Sequence, residues 1–267
     1  MTIEFDWVLI PDGEFLMGSD PTQDPHALDN ELPQHRLYLP TYRLARTQVT
    51  VAQFEAFVNA TGYQTTAEQQ GFLWTYNGVE WTKVEGAGWR HPRGPQDHVR
   101  EKAQHPVTCV SWHDTIAFCR WVGVRLPTEA EWEKGARGTE GRIYPWGNDL
   151  PDPERCNFGG NVGDTTPVGA YPNGASLYGL LDMAGNVREW LQTQWGAYGE
   201  VPRYGYPYNP TDGREDMTAP EDVCRCMREC GMFNSVCGVR SAYRHANHPR
   251  HADNVSGFRV AALGTAD

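Results

Sequence analysis

The residues able to do chemistry crowd one stretch of this chain. Of its seven cysteines, Cys224, Cys226, Cys230 and Cys237 fall within fourteen residues, and His245, His248 and His251 follow closely. Thiolate sulfur and imidazole nitrogen are the soft and borderline donors that zinc and copper take. The spacing fits no common zinc module, which leaves three readings open: a dedicated metal site, side chains of a variable surface, or structural cysteines. No Ser-His-Asp arrangement, glycine-rich phosphate loop or Walker motif is visible. The acidic run Glu129-Ala-Glu-Trp-Glu133 begins a short capped helix and reads as a solvated face.

Composition narrows the partners. A formal net charge of −11 gives no footprint for nucleic acid, whose binding needs clustered positive charge. No apolar run approaches the roughly 18 residues of a membrane-spanning helix. The opening MTIEFDWVLIPDGEF carries acidic residues where a signal peptide is basic and then apolar, so the expected location is the cytoplasm as synthesised. An odd number of cysteines in such a chain argues against a disulfide framework.

The elements that must position these residues are short. Ten Trp, twelve Tyr, 28 Gly and 19 Pro in 267 residues describe large anchors set between many chain reversals. Trp7 to Ser19 reads as a hairpin turning at Asp12-Gly13, and His35 to Arg46 alternates as a strand. Capping residues predict three helices: Thr50 with Gln53, closed by Gly62; Ser111 with Asp114, closed by Gly123; and Thr128 with Glu131, ending near Gly138. Residues 63–106 and 148–220 show little periodicity and read as packed irregular loop. With no repeat and no low-complexity linker, one domain over residues 1–267 is expected.

Six motifs then carry a resemblance. His105-Pro-Val-Thr-Cys-Val-Ser-Trp112, Arg125-Leu-Pro-Thr-Glu-Ala-Glu-Trp-Glu-Lys-Gly-Ala-Arg137, Tyr144-Pro-Trp-Gly-Asn148, Thr166-Pro-Val-Gly169, Gly179-Leu-Leu-Asp-Met-Ala-Gly-Asn-Val-Arg-Glu-Trp190 and Gly257-Phe-Arg259 resemble, in order, the sulfatase-modifying-factor family founded by the formylglycine-generating enzyme. The resemblance implies an α+β fold, a C-type-lectin fold of that enzyme's type, with short helices around small antiparallel sheets and long ordered loops. It implies structural calcium at Asn157, Phe158, Asn186 and Glu189, and no organic cofactor. Hard oxygen donors at short spacing suit that ion, and the same asparagines could instead hydrogen-bond turns.

In the oxidase branch an Arg-Gly-Gly-Ser segment precedes a Cys-x4-Cys pair that binds copper. Here the segment reads VCRCMRECGMFNSVCG, and six residues separate Cys230 from Cys237. The region from 224 to 259, with Arg240, Arg244, Pro249 and Gly257-Phe-Arg259 as a frame, also resembles the variable region of diversity-generating-retroelement target proteins. In those proteins, adenine changes in Asn codons randomise chosen positions. Met227, Glu229 and Met232 lie outside that codon set and count as fixed. The expected function is therefore non-enzymatic binding of a macromolecular ligand, a protein, through Cys224, Cys226, Arg228, Cys230, Phe233, Asn234, Cys237, Tyr243, His245, Asn247, His248, Arg250, His251, Asp253 and Asn254. The alternative is a copper-dependent formylglycine-generating-type oxidase that acts on a protein cysteine through Cys230 and Cys237.

Overall fold

A hydroxyl side chain starts each α-helix. In the computed structural model, which describes residues 3–228 and 231–264, these are α1 (Val51–Thr61), α2 (Thr66–Gln70), α3 (Trp112–Val122) and α4 (Glu129–Arg137), and each opens on a complete capping box. Gly62, Gly71 and Gly123 close the first three in the left-handed conformation. The second helix falls in a stretch read as loop, although Thr65 with Glu68 carries the same start signal as the others.

The first two strands, β1 (Trp7–Ile10) and β2 (Gly13–Met17), do not form the expected hairpin. Each pairs antiparallel with a later strand, β2 with β3 (His35–Leu39) and β1 with β4 (Tyr42–Ala45). Pro11 has no N–H to give a ladder, and Gly13 takes a φ of +128°, so the chain turns away instead of folding back. Both strands still bury their apolar faces, Val8 with Ile10 and Phe15 with Met17, in one core.

A true hairpin lies in the first supposed loop. There β5 (Phe72–Tyr76) and β6 (Trp81–Glu85) pair around Asn77-Gly78, with Asn77 Oδ1 accepting from the N–H groups of Val79 and Glu80. The second supposed loop contains the long strand β7 (Arg188–Gly196). Its neighbours are β8 (Cys224–Arg228), β9 (Arg244–Asn247) and β10 (Ser256–Gly257), in the order β10-β7-β8-β9. The last strand, β11 (Ala261–Leu263), joins β4 and completes a three-stranded sheet, β1-β4-β11.

Two apolar clusters hold these layers. One gathers Phe54, Phe57, Trp89, Phe118 and Phe258 around α1 and α3. The other gathers Ile10, Phe15, Leu44, Trp132, Leu191 and Cys226 around α4. That helix packs against β2, β7 and β8, and every one of its residues is buried. A Cβ on its Gly135 would meet Leu44 Cδ1 at 2.6 Å and Leu180 Cδ1 at 2.9 Å, so any larger residue there would require both leucine side chains to shift. Glu129, Glu131 and Glu133 are therefore not a solvated face, as the sequence suggested, but buried counter-ions. No described helix is long and apolar enough to cross a membrane.

Candidate functional site

Alternation along β8 decides the fate of the cysteine cluster. β8 is an interior strand with β7 and β9 on either side, and all five of its residues are buried. Cys224 and Cys226 join the core around α4, while Met227 joins the other core and the guanidinium of Arg225 lies 4.2 Å from the Trp112 ring. Burial raises both thiols above their ordinary range, and they pack in the core as small apolar groups. Cys224, Cys226 and Arg228 thus do not face solvent as expected. A central strand covered on both faces has no exposed positions to offer.

The arginines of the segment form its frame. Arg228 Nη2 donates to Glu133 Oε2 at 2.7 Å and lies 3.2 Å from Glu129 Oε1. Arg244 reaches both oxygens of Glu129, at 2.8 and 2.9 Å. Burial would raise Glu129, but Arg244 and Arg228 outweigh it and hold the carboxyl below its ordinary range. Arg240 pairs with Glu31 and Asp24 at 2.7 Å, and Arg259 with Glu189 at 2.7 and 2.8 Å.

Between these anchors other side chains are only half-buried and reach a pocket, although Asn247, expected to face solvent, is buried in its wall. A pocket of ≈550 Å3 is lined by His245, Asn247, His248 and His251 from the predicted region, together with Trp74, Trp81, Arg188 and Tyr198. Burial, followed by the nearby Arg188, pushes His245 down to about 3, so this imidazole is neutral. His251 Nε2 lies 2.9 Å from Asp253 Oδ2. Burial pushes the Asp253 carboxyl up, but His251 and Arg188 hold it down at about 2.

The remaining predicted residues are dispersed. Tyr243 is half-buried in a neighbouring hollow shared with Tyr198 and His245, and Arg250 is exposed beside Glu221 at 3.6 Å. Phe233 packs edge-on against Tyr76, and Asn234 accepts from Gly159 N–H through its carbonyl. Cys237 is half-buried, and its carbonyl accepts from Arg240 Nε. Cys230 lies outside the described residues. Asp253 and Asn254 are buried and structural instead of solvent-facing: Asp253 Oδ1 accepts from Val255 N–H, and the Asn254 amide bonds both N–H and C=O of Tyr76. They pin loops whose backbone groups would otherwise lack partners.

Sequence reading missed Trp74, Trp81, Arg188 and Tyr198. The Asn77-Gly78 pair between two alternating runs was the available signal for the first two, since it is a strong short-range hairpin cue. Arg188 belongs to a recognised motif, but nothing local shows that its side chain reaches a pocket.

The stretches linked to calcium bond mainly to one another. Asn157 Nδ2 donates to the Asp164 carbonyl at 2.8 Å, and Asn186 Oδ1 accepts from Thr166 N–H at 2.9 Å. Phe158 packs its ring against the small cluster that contains Tyr144 and Val239. Glu189 does not fit a calcium ligand, because Arg259, Trp132 Nε1 and Gln48 Nε2 all donate to its carboxylate. Asn157 Oδ1 does fit in part, being buried without a hydrogen-bond partner. Among the described residues, no group of three or more His, Cys, Asp or Glu side chains is placed to hold a metal ion.

Comparison with known proteins places this architecture. The sulfatase-modifying factor enzyme 1-like domain matches residues 4–263. Over 97% of its length the chain is 36% identical to the formylglycine-generating enzyme of Mus musculus, covering 76% of that protein. It is also 36% identical, over 96% of its length and 87% of the relative, to the inactive C-alpha-formylglycine-generating enzyme 2 of Bos taurus. In fold it is similar to Treponema denticola variable protein 1, with a TM-score of 0.66 at 20% identity, covering 98% of this chain and 96% of that one. The fold is thus of the C-type-lectin kind in its formylglycine-generating-enzyme form, and the chain belongs to the sulfatase-modifying factor family.

Proposed function

We propose that this chain is a non-enzymatic binding protein that presents a diversified surface within residues 224–259 to a macromolecular ligand, a protein. One observation carries the reading. Within a single short segment, Arg240, Arg244 and Pro249 are buried while Arg250 is exposed and Tyr243, His245, His248 and His251 are half-buried, the three histidines lining an aromatic-walled pocket. A frame locked by buried ion pairs leaves the positions between it outside the core, and the more exposed such a side chain is, the nearer its replacement comes to the roughly 0.5 kcal/mol typical of surface changes. The resemblance to Treponema denticola variable protein 1 supports the fold this requires.

The second reading, a copper-dependent oxidase of a protein cysteine, draws on the 36% identity to the formylglycine-generating enzyme. Its copper would be held by Cys230 and Cys237 as a thiolate pair, the positions this reading takes from the oxidase branch's cysteine pair.

Two measurements separate the readings. The binding protein expects a near-copy of the coding stretch for residues 224–259 close to the gene, differing at template adenines, with a reverse transcriptase gene alongside. The oxidase expects stoichiometric copper and oxidation of a cysteine peptide, both lost in Cys237→Ser. Turnover of that kind would overturn the binding reading.

A further inference from the structure

The pocket beside β9 has a chemical bias. The described residues that line it include one permanent cation, Arg188, and no carboxylate. Arg188 Nε is buried without a hydrogen-bond partner, and the nearby Asp253 carboxylate feels the guanidinium charge without bonding to it among the described residues. The acceptors near it are engaged elsewhere: Asp253 takes His251 Nε2 and Val255 N–H, Asn247 Oδ1 takes His248 N–H, and His248 Nδ1 takes Arg250 N–H. His245 stands neutral against the wall. The unengaged hydrogen-bonding capacity is therefore chiefly that of donors, on a guanidinium whose planar fork matches a carboxylate.

The walls are apolar and flat. Trp74, Trp81 and Tyr198 are 43%, 40% and 68% exposed, whereas Trp89, Trp132 and Trp190 are wholly buried. Arg188 lies 6.0 Å from the Trp81 ring, so a ring stacked on the indole would bring an attached carboxylate within reach of the guanidinium. The pocket volume of ≈550 Å3 falls within the range of small-ligand sites, roughly 300–1,000 Å3.

We infer that this pocket takes a carboxylate carried next to an aromatic ring, either as a free aromatic acid or as the C-terminal residue of a chain. The inference rests on the binding reading and names the ligand group that the present side chains select. The carboxylate pairs with Arg188 and the ring stacks on Trp81 and Trp74.

Calorimetric titration tests it with N-acetylphenylalanine, its amide, and Gly-Gly-Gly-Phe with a free or amidated end. The acid should bind about tenfold or more tightly than the amide, the scale of one charge-assisted hydrogen bond. Arg188→Gln should abolish that preference, Arg188→Lys should retain part of it, and Trp81→Ala should weaken acid and amide together. Melting curves of each variant show whether it folds. Stronger binding of the free-ended peptide identifies a chain terminus, and stronger binding of the small acid identifies a free metabolite. Equal binding of acid and amide, or no binding of either, overturns the inference. The binding reading itself would stand, since it is tested separately, by the template copy beside the gene and by copper-dependent turnover.

Discussion

Arg244 and Glu129 meet in a two-point ion pair, at 2.8 and 2.9 Å, with both side chains removed from solvent. The pair ties β9 to α4, and on the same strand the neighbouring His245 lines the pocket. Rigidity and display are thus separated by one residue.

Breaking that pair should be costly. Arg244→Ala leaves Glu129 buried beside Arg228 with its main partner gone, and removal of one member of a buried pair costs about 3–5 kcal/mol. Denaturant unfolding should show a loss of that size, and the double variant Arg244→Met, Glu129→Leu should recover much of it. A loss under about 1 kcal/mol for Arg244→Ala would remove the pair from the frame.

Glu215 gives the stability a pH dependence. Burial raises its carboxyl to about 7, although the hydroxyls of Tyr208 and Thr193 donate to it and pull the other way. A carboxyl raised in the folded state favours folding below its ordinary value of 4.5, and that contribution is lost as the pH rises through about 7. Glu215→Gln should therefore melt a few degrees above the parent at pH 8 and show no such gain at pH 5. An equal shift at both pH values would mean that Glu215 does not titrate in this window.

Substitution tolerance should divide along the structural line. Ser, Asn or Tyr at His245, His248 and Arg250 should shift the melting temperature by only a few degrees. Asp253→Ser and Asn254→Ser should lower it far more, because they strip the bonds of a buried carboxylate to His251 and Val255 N–H or the two bonds to Tyr76. The same measurement on Cys226→Asn, which places an amide in the core, should show a large loss.

We propose structural calcium only at the Asn157 loop, where Oδ1 lacks a partner. Protein loaded with calcium should then melt at a lower temperature after chelation, by mass action, and Asn157→Ala should remove the response. An unchanged melting curve in protein shown to carry the ion beforehand would dismiss the site.

By itself, the sequence determined the family, the fold class and the starts of α1, α3 and α4, because capping boxes and motif order are local patterns. The hairpin signal at Asn77-Gly78 was equally local, though unread. Tertiary structure alone decided what the charged and thiol residues do. Glu133 and Arg228 are 95 positions apart, and Glu129 and Arg244 are 115 apart. No window of sequence shows that these charges neutralise one another in the core. For the same reason Cys224 and Cys226 read as ligand-binding surface residues: burial comes from β7, β9 and α4 closing around a strand whose own residues do not announce it. The pocket required both levels, since β9 and its following loop supply the histidines, while a distant hairpin and β7 bring Trp74, Trp81 and Arg188 against them.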